Sequence, residues 1–273
     1  MPRRSRSGRR APGSRLAELL FWPAVVAYGE AAVAFAGSLR GPLRLSRLGT
    51  WGVRLGWLLQ TALLVLQAAR ADGFPWSSWA GSLNLFVWLV VAVYLIWGCD
   101  ARYRLVGLGV MPLAAVLLAL AWAGGGTRVG ARSHYSNLFL LLHVGFVLAA
   151  FAGFTVAAAL SALYLWQERR LKQRAPDILR WRLPSLLQLE RLTARTIAYA
   201  LPALTLGMAA GIVRLRQEGG GVDALMIVTA LTWALYGGFL LLRPAGRRAA
   251  WLALAGFLLV IVVRLGLPLT HFS

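Results

Sequence analysis

The chain is 273 residues long, 59% hydrophobic, with a mean hydropathy of +0.66, and its apolar residues gather into runs long enough to cross a bilayer, which excludes a soluble enzyme. Its net charge of +20 comes from 29 basic against 9 acidic residues, and apart from Lys172 every basic residue is arginine. These arginines sit between hydrophobic runs rather than on a folded basic domain, so the expected counter-charge is the lipid bilayer and not nucleic acid.

Residues 1–15, "MPRRSRSGRRAPGSR", read as a basic disordered tail. Residues 16–273 read as one membrane domain with spans near 16–38, 51–69, 78–98, 105–123, 136–166, 195–213, 222–242 and 249–271. The expected fold is all-α, a polytopic integral membrane bundle of about eight transmembrane helices. Turn residues punctuate it at Gly41-Pro42, Asp72-Gly73, Gly124 to Gly126, Gly219 to Gly221 and Pro244. The fifth run exceeds the hydrocarbon thickness and is expected to continue as helix into "LYLWQERRLKQR". Residues 178–194, broken by Pro184, read as an interfacial segment. The one cysteine, Cys99, makes no intrachain disulfide, and without a C-x-x-C-H the chain is not itself a c-type cytochrome.

Alternate connections differ in charge. Those after spans one, three, five and seven, with their adjoining turns, hold 17 Lys and Arg, and those after two, four and six hold 5. The positive-inside rule then makes the first set cytoplasmic and both termini external, in a bacterial cell (inner) membrane. The tail, with six arginines, argues for the inverse, and the four loops outweigh it.

That parity brings all three histidines, His134, His143 and His271, to one face, the outer one by the count. The residues alone leave two readings open. His143 can pack between helices on a hydrogen bond, or His143 and His271 can be the two axial ligands of a haem iron. Within the apolar runs, Glu30 is a carboxylate near the middle of span one, costly there unless paired, neutral or wet. Arg264 lies about two turns before His271 on nearly the same face, where a guanidinium suits a propionate or snorkels to headgroups. Arg214 and Arg216 at the end of span six have the same two readings, and most of Trp76, Trp79, Trp88 and Trp97 read as interfacial belt residues.

Four stretches carry a family resemblance: "GFPWSSWAGSLNLFVW", "SNLFLLLHVGFVLAAFAGFTVAAALSALYLWQERRLK", "LERLTARTIAYALPALTLGMAAGIV" and "ALTWALYGGFLLLRPAGRRAAWLALAGFLLVIVVRLG" running into "LPLTHFS". In order and spacing they resemble the CcsA/HemX-type cytochrome c assembly family over most of residues 50 to 273. The resemblance implies that His143 and His271 flank haem b on the outer face. It also implies a second membrane subunit that holds the apocytochrome c, which this chain meets only indirectly.

The chain departs from the haem-transporting branch in three places. "RQEGGGVDALMIV" has no tryptophan where that branch carries a tryptophan-rich haem platform, Gln60 stands where it usually has a histidine, and Gly81 where it has an acid. Gln60 can hydrogen-bond a propionate or a water but is a poor iron ligand. The expected function is haem handling in cytochrome c assembly by a component that is not a stand-alone enzyme, with Gln60 and Glu30 as further cofactor contacts. A HemX-like regulator or support factor of haem biosynthesis is the second reading, and a transporter of a small anionic solute the third.

Overall fold

The computed structural model describes residues 12–38, 43–71, 75–76, 78–98, 104–128, 138–174, 184–218 and 223–270, with the side chains of the last helix described as far as Val263. Among these residues there are eight helices and no strand: α1 (Pro12–Ser38), α2 (Leu43–Ala69), α3 (Trp79–Gly98), α4 (Arg104–Ala123), α5 (Leu138–Lys172), α6 (Leu186–Glu218), α7 (Ala224–Leu242) and α8 (Gly246–Thr270). All eight are long and apolar enough to cross a membrane. Residues 1–11 of the basic tail lie outside the described residues, and residues 12–15 form the first turn of α1.

Two helices start earlier than hydropathy marks. In α2 the turns "LRLSRLGT" keep Arg44 and Arg47 exposed while Ser46 is buried and Gly49 receives the ring of Phe35, so a mixed sequence is held as helix by packing on α1. In α6 the stretch expected as an interfacial segment is, from Leu186 on, the continuous start of the helix. Ser185 and Gln188 form a reciprocal cap, Gln188 N–H donating to Ser185 Oγ at 3.2 Å and Ser185 N–H to Gln188 Oε1 at 3.1 Å. Leu189, Leu192 and Thr193 then bury themselves. As expected, α5 runs unbroken into its basic end, where Lys172 pairs with Glu168 at 2.6 Å. At 1.5 Å per residue its 35 residues span about 52 Å, far beyond the hydrocarbon.

The helices fall into two four-helix halves that share their main pairings, the second having in addition a light contact between α6 and α8. In the first, α1 packs on α2 and α4, and α3 packs on α4, with a lighter contact between α2 and α3. In the second, α5 packs on α6 and α8, and α7 on α8, with a lighter contact between α6 and α7. The halves meet where α3 and α4 lie against α5.

Small residues let the principal pairs approach. On α2, Gly52 and Gly56 ("GVRLG") face α1, and a Cβ on Gly56 would lie 2.6 Å from the Tyr28 ring. On α6, Gly207 and Gly211 ("GMAAG") face α5, and a Cβ on Gly207 would lie 2.7 Å from Val147 Cγ2. A second likeness is local. Trp88 of α3 donates its indole N–H to Thr61 Oγ1 of α2 at 2.7 Å, and Trp233 of α7 donates to Thr205 Oγ1 of α6 at 2.9 Å. Both threonines also donate to the carbonyl four residues back, Trp57 O and Leu201 O. Four helices per unit keep both halves in the same orientation across the membrane, which is a parallel repeat rather than an inverted one.

Candidate functional site

His143 sits in the second turn of α5, at the same end of the bundle as the α2–α3 and α4–α5 connections. It is half-buried against α6, and its Nδ1 lies 2.7 Å from the carbonyl oxygen of Gly207. A carbonyl only accepts, so Nδ1 carries the proton and donates, and in the neutral ring the lone pair resides on Nε2. Gly211 makes the seat: a Cβ there would stand 2.7 Å from Nδ1 and 2.8 Å from Cε1 of the imidazole. The "GMAAG" face of α6 thus does two things at once, joining α5 and α6 and fixing the tautomer and plane of His143. Gly145, two residues on and therefore on roughly the opposite side of α5, has nothing described within 4 Å of its Cβ position.

His134 and His271 lie outside the described residues, as does the side chain of Arg264, whose backbone belongs to α8. The packing of α5 on α8 is the one requirement for a His143–His271 pair that the described residues address, and those helices do pack together. The side chain of Arg214 is likewise outside the described residues, and Arg216 is exposed near the end of α6.

Gln60 and Glu30 belong to the other half and are not brought to His143. Gln60 is fully buried at the junction of α1, α2 and α3, accepting from Tyr28 Oη at 2.8 Å and donating from Nε2 to Asn84 O and Oδ1, each at 3.0 Å. The chain of contacts continues. Asn84 Nδ2 donates to Gln67 Oε1 at 3.2 Å, Trp76 Nε1 donates to the same oxygen at 3.1 Å, and Gln67 Nε2 donates to Gly126 O and Arg128 O at 3.0 and 2.9 Å. Both ends of all three amides are therefore used inside the protein, which is the condition under which a buried polar network stabilises rather than costs. The network ties three helices to the α4–α5 connection, and Gly126 permits it by lying backbone to backbone on Ala80 and Gly81, where a Cβ would collide. Gly81, where the haem-transporting branch has an acid, is buried and its N–H is held by Ser78 Oγ at 3.0 Å.

Glu30 points elsewhere. It is exposed on the outer surface of α1, where no described residue gives it a hydrogen bond or an ion pair. Arg54, exposed on α2, lies over the Trp51 ring at 5.3 Å.

Several of these residues escaped the reading by composition. Gln60 and Gln67 stand seven residues apart, two helical turns, which puts both amides on one face of α2 and was the available sign of a network. Of the tryptophans read as belt residues, Trp76 and Trp88 are internal hydrogen-bond donors, and Trp88 stacks on Trp57 with centroids 5.2 Å apart.

The chain is similar to known proteins over most of its length. The chain is 28% identical over 249 residues to protein HemX of Brevibacillus brevis, an alignment covering 87% of this chain and 90% of that protein. It is 26% identical over 290 residues to the cytochrome c biogenesis protein CcsA of Gloeobacter violaceus, covering 83% and 85%, and 25% identical over 316 residues to CcsA of a Picosynechococcus strain, covering 91% of each. Residues 76–271, which include α3 to α8 and both candidate histidine ligands, match the model of the cytochrome C assembly protein family, and the chain belongs to that family.

Proposed function

We propose that the chain handles haem b as a component of cytochrome c assembly, with His143 as one axial ligand of the iron, His271 as the other, and Arg264 as the partner of a propionate. The face concerned is the outer face of a bacterial cell membrane, both chain termini lie on it, and a second membrane subunit holds the apocytochrome c. Haem would supply the group to be delivered; the protein supplies the ligand nitrogens and their orientation.

The observation that carries this reading is the hydrogen bond from His143 Nδ1 to Gly207 O. Histidines that ligate metals characteristically donate their other ring N–H to a carbonyl or carboxylate, which fixes the tautomer and raises ligand basicity. Gly211 leaves the room in which the ring can take that orientation. The protein purified in mild detergent is expected to show a low-spin haem spectrum. His143→Gly and His271→Gly should each abolish it, with partial return on addition of imidazole. A colourless protein that takes up no added haem would refute the assignment.

The similarity to HemX over 87% of the chain, together with the tryptophan-free α6–α7 connection, favours one second reading, a support factor for haem biosynthesis that binds no haem tightly. A colourless protein whose loss lowers cellular haem, and not cytochrome c attachment alone, would be the mark of that role.

A further inference from the structure

The two halves differ in how far their first helix is covered. In the most apolar stretch of α5, 72% of the residues are buried, against 39% in α1. Matching Thr61 with Thr205 and following the antiparallel register of each helix pair, Tyr28 against Gly56 and Gly153 against Ala200, brings Glu30 to the level of Thr155. Thr155 lies within Ala150 to Ala158, where every residue is buried. The reason is position: α5 has α6 and α8 on one side and α3 and α4 on the other, and Thr155 faces Phe86, Val90 and Val110 across that junction. The corresponding face of α1 carries Trp22, Val26, Glu30 and Val33, all exposed.

Two properties of that face point the same way. Glu30 lies 14 residues from Leu16 and 8 from Ser38, the ends of the span, hence about 21 and 12 Å along the axis and inside the hydrocarbon. An ionisable side chain at that depth ordinarily faces a bundle interior, a wet cavity or a partner. Its neighbours are small: Gly29 has nothing within 4 Å of its Cβ position, and Ala36 and Gly37 are exposed one to two turns on, a spacing that lets a second helix approach closely.

We infer that the outer face of α1 around Glu30 is a docking site for a transmembrane helix of another polypeptide that carries an arginine or lysine at the same depth. Charge complementarity selects this occupant. A carboxylate and a cation, each costly in lipid, neutralise one another on contact, and the partner helix takes the place against α1 that α3 and α4 take against α5. The inference extends the partner part of the proposed function and stands apart from its haem part, because its test reads no spectrum.

The test places a photo-crosslinking residue at Val26 or Val33 in the full chain in native membranes, with Leu231 on α7 as the control position. Crosslinked bands are sequenced and the partner's spans searched for a basic residue. The expected result is one polypeptide captured from both α1 positions and not from Leu231, bearing an Arg or Lys at the depth of Glu30. Glu30→Leu should lower its yield at least tenfold, while the isolated variant keeps the wild-type elution and melting profile in detergent. Glu30→Arg combined with replacement of the partner's basic residue by Glu should restore it. Capture of lipid alone, of a second copy of this chain, or of a polypeptide without a basic residue at that depth would overturn the inference, and so would a yield indifferent to Glu30→Leu.

Discussion

The two four-helix halves solve the same packing problem with different chemistry at the histidine-bearing end. Both join their first two helices through a G-x-x-x-G face and both tie the second to the third by a tryptophan donating to a threonine. In the first half that end is closed by Gln60, Asn84 and Gln67, whose amides satisfy one another and the α4–α5 connection. In the second, the residue seven before Gly211 on α6 is Leu204, and the corresponding level holds a single imidazole set against Gly211 and bonded to the Gly207 carbonyl. A polar network with no spare valence is a structural clamp. In the second half, an imidazole is oriented by the hydrogen bond from its Nδ1 to the Gly207 carbonyl, the arrangement on which the proposed ligand role rests. Under the proposed function, the difference gives stability to the first half and haem ligation to the second.

That division can be broken most forcefully at Gly207. Gly207→Leu drives a side chain into Val147, and overpacking at a helix contact costs about 1–3 kcal/mol or more. The expected outcome is loss of folded protein on extraction, read by size-exclusion chromatography in detergent. Next comes the clamp. Gln67→Leu leaves Asn84 Nδ2, Trp76 Nε1 and two backbone carbonyls short of a partner, a destabilisation of roughly 1–3 kcal/mol measured by thermal unfolding in detergent. Haem uptake by whatever folded fraction remains should be unchanged, and a selective loss of uptake would contradict the division of labour.

The smallest effects sharpen the comparison instead. Trp88→Leu and Trp233→Leu each remove one interhelical hydrogen bond, about 0.6 kcal/mol by the usual measure in membranes. Trp88 should cost more, by about 0.5–1.5 kcal/mol, because it also stacks on Trp57, whereas Trp233 is exposed on its far side. Equal losses in a pair of unfolding curves would mean that the stack contributes nothing.

The number of spans and the length of α5 were legible because hydropathy and helix length are summed over many residues, and no single contact decides them. The starts of α2 and α6 were not, since "LRLSRLGT" and "LLQLERLTA" are held as helix by partners hundreds of atoms away in the chain, although Ser185 and Gln188 wrote their cap in plain sequence. His143 stood out by composition alone. Its orientation did not, because the oxygen that sets it belongs to Gly207, 64 residues later. Gln67 and Asn84 passed unnoticed for the converse reason: the seven-residue spacing of Gln60 and Gln67 marks a shared face of α2, but the amide that answers them lies on another helix.

The clamp also constrains how the chain is made. Of the eight spans α2 is the least apolar, and two of its residues, Gln60 and Gln67, find their partners on α3 and on the connection after α4. While the ribosome has delivered only α1 and α2, Tyr28 can answer Gln60, but nothing yet answers Gln67. A helix in that condition is reluctant to leave the translocon for lipid. It is expected to be retained until Trp76 and then Asn84 of α3 have followed, so that the first half is released as a unit rather than helix by helix. The second half, whose G-x-x-x-G pairing asks for no amide, can then assemble on a finished surface.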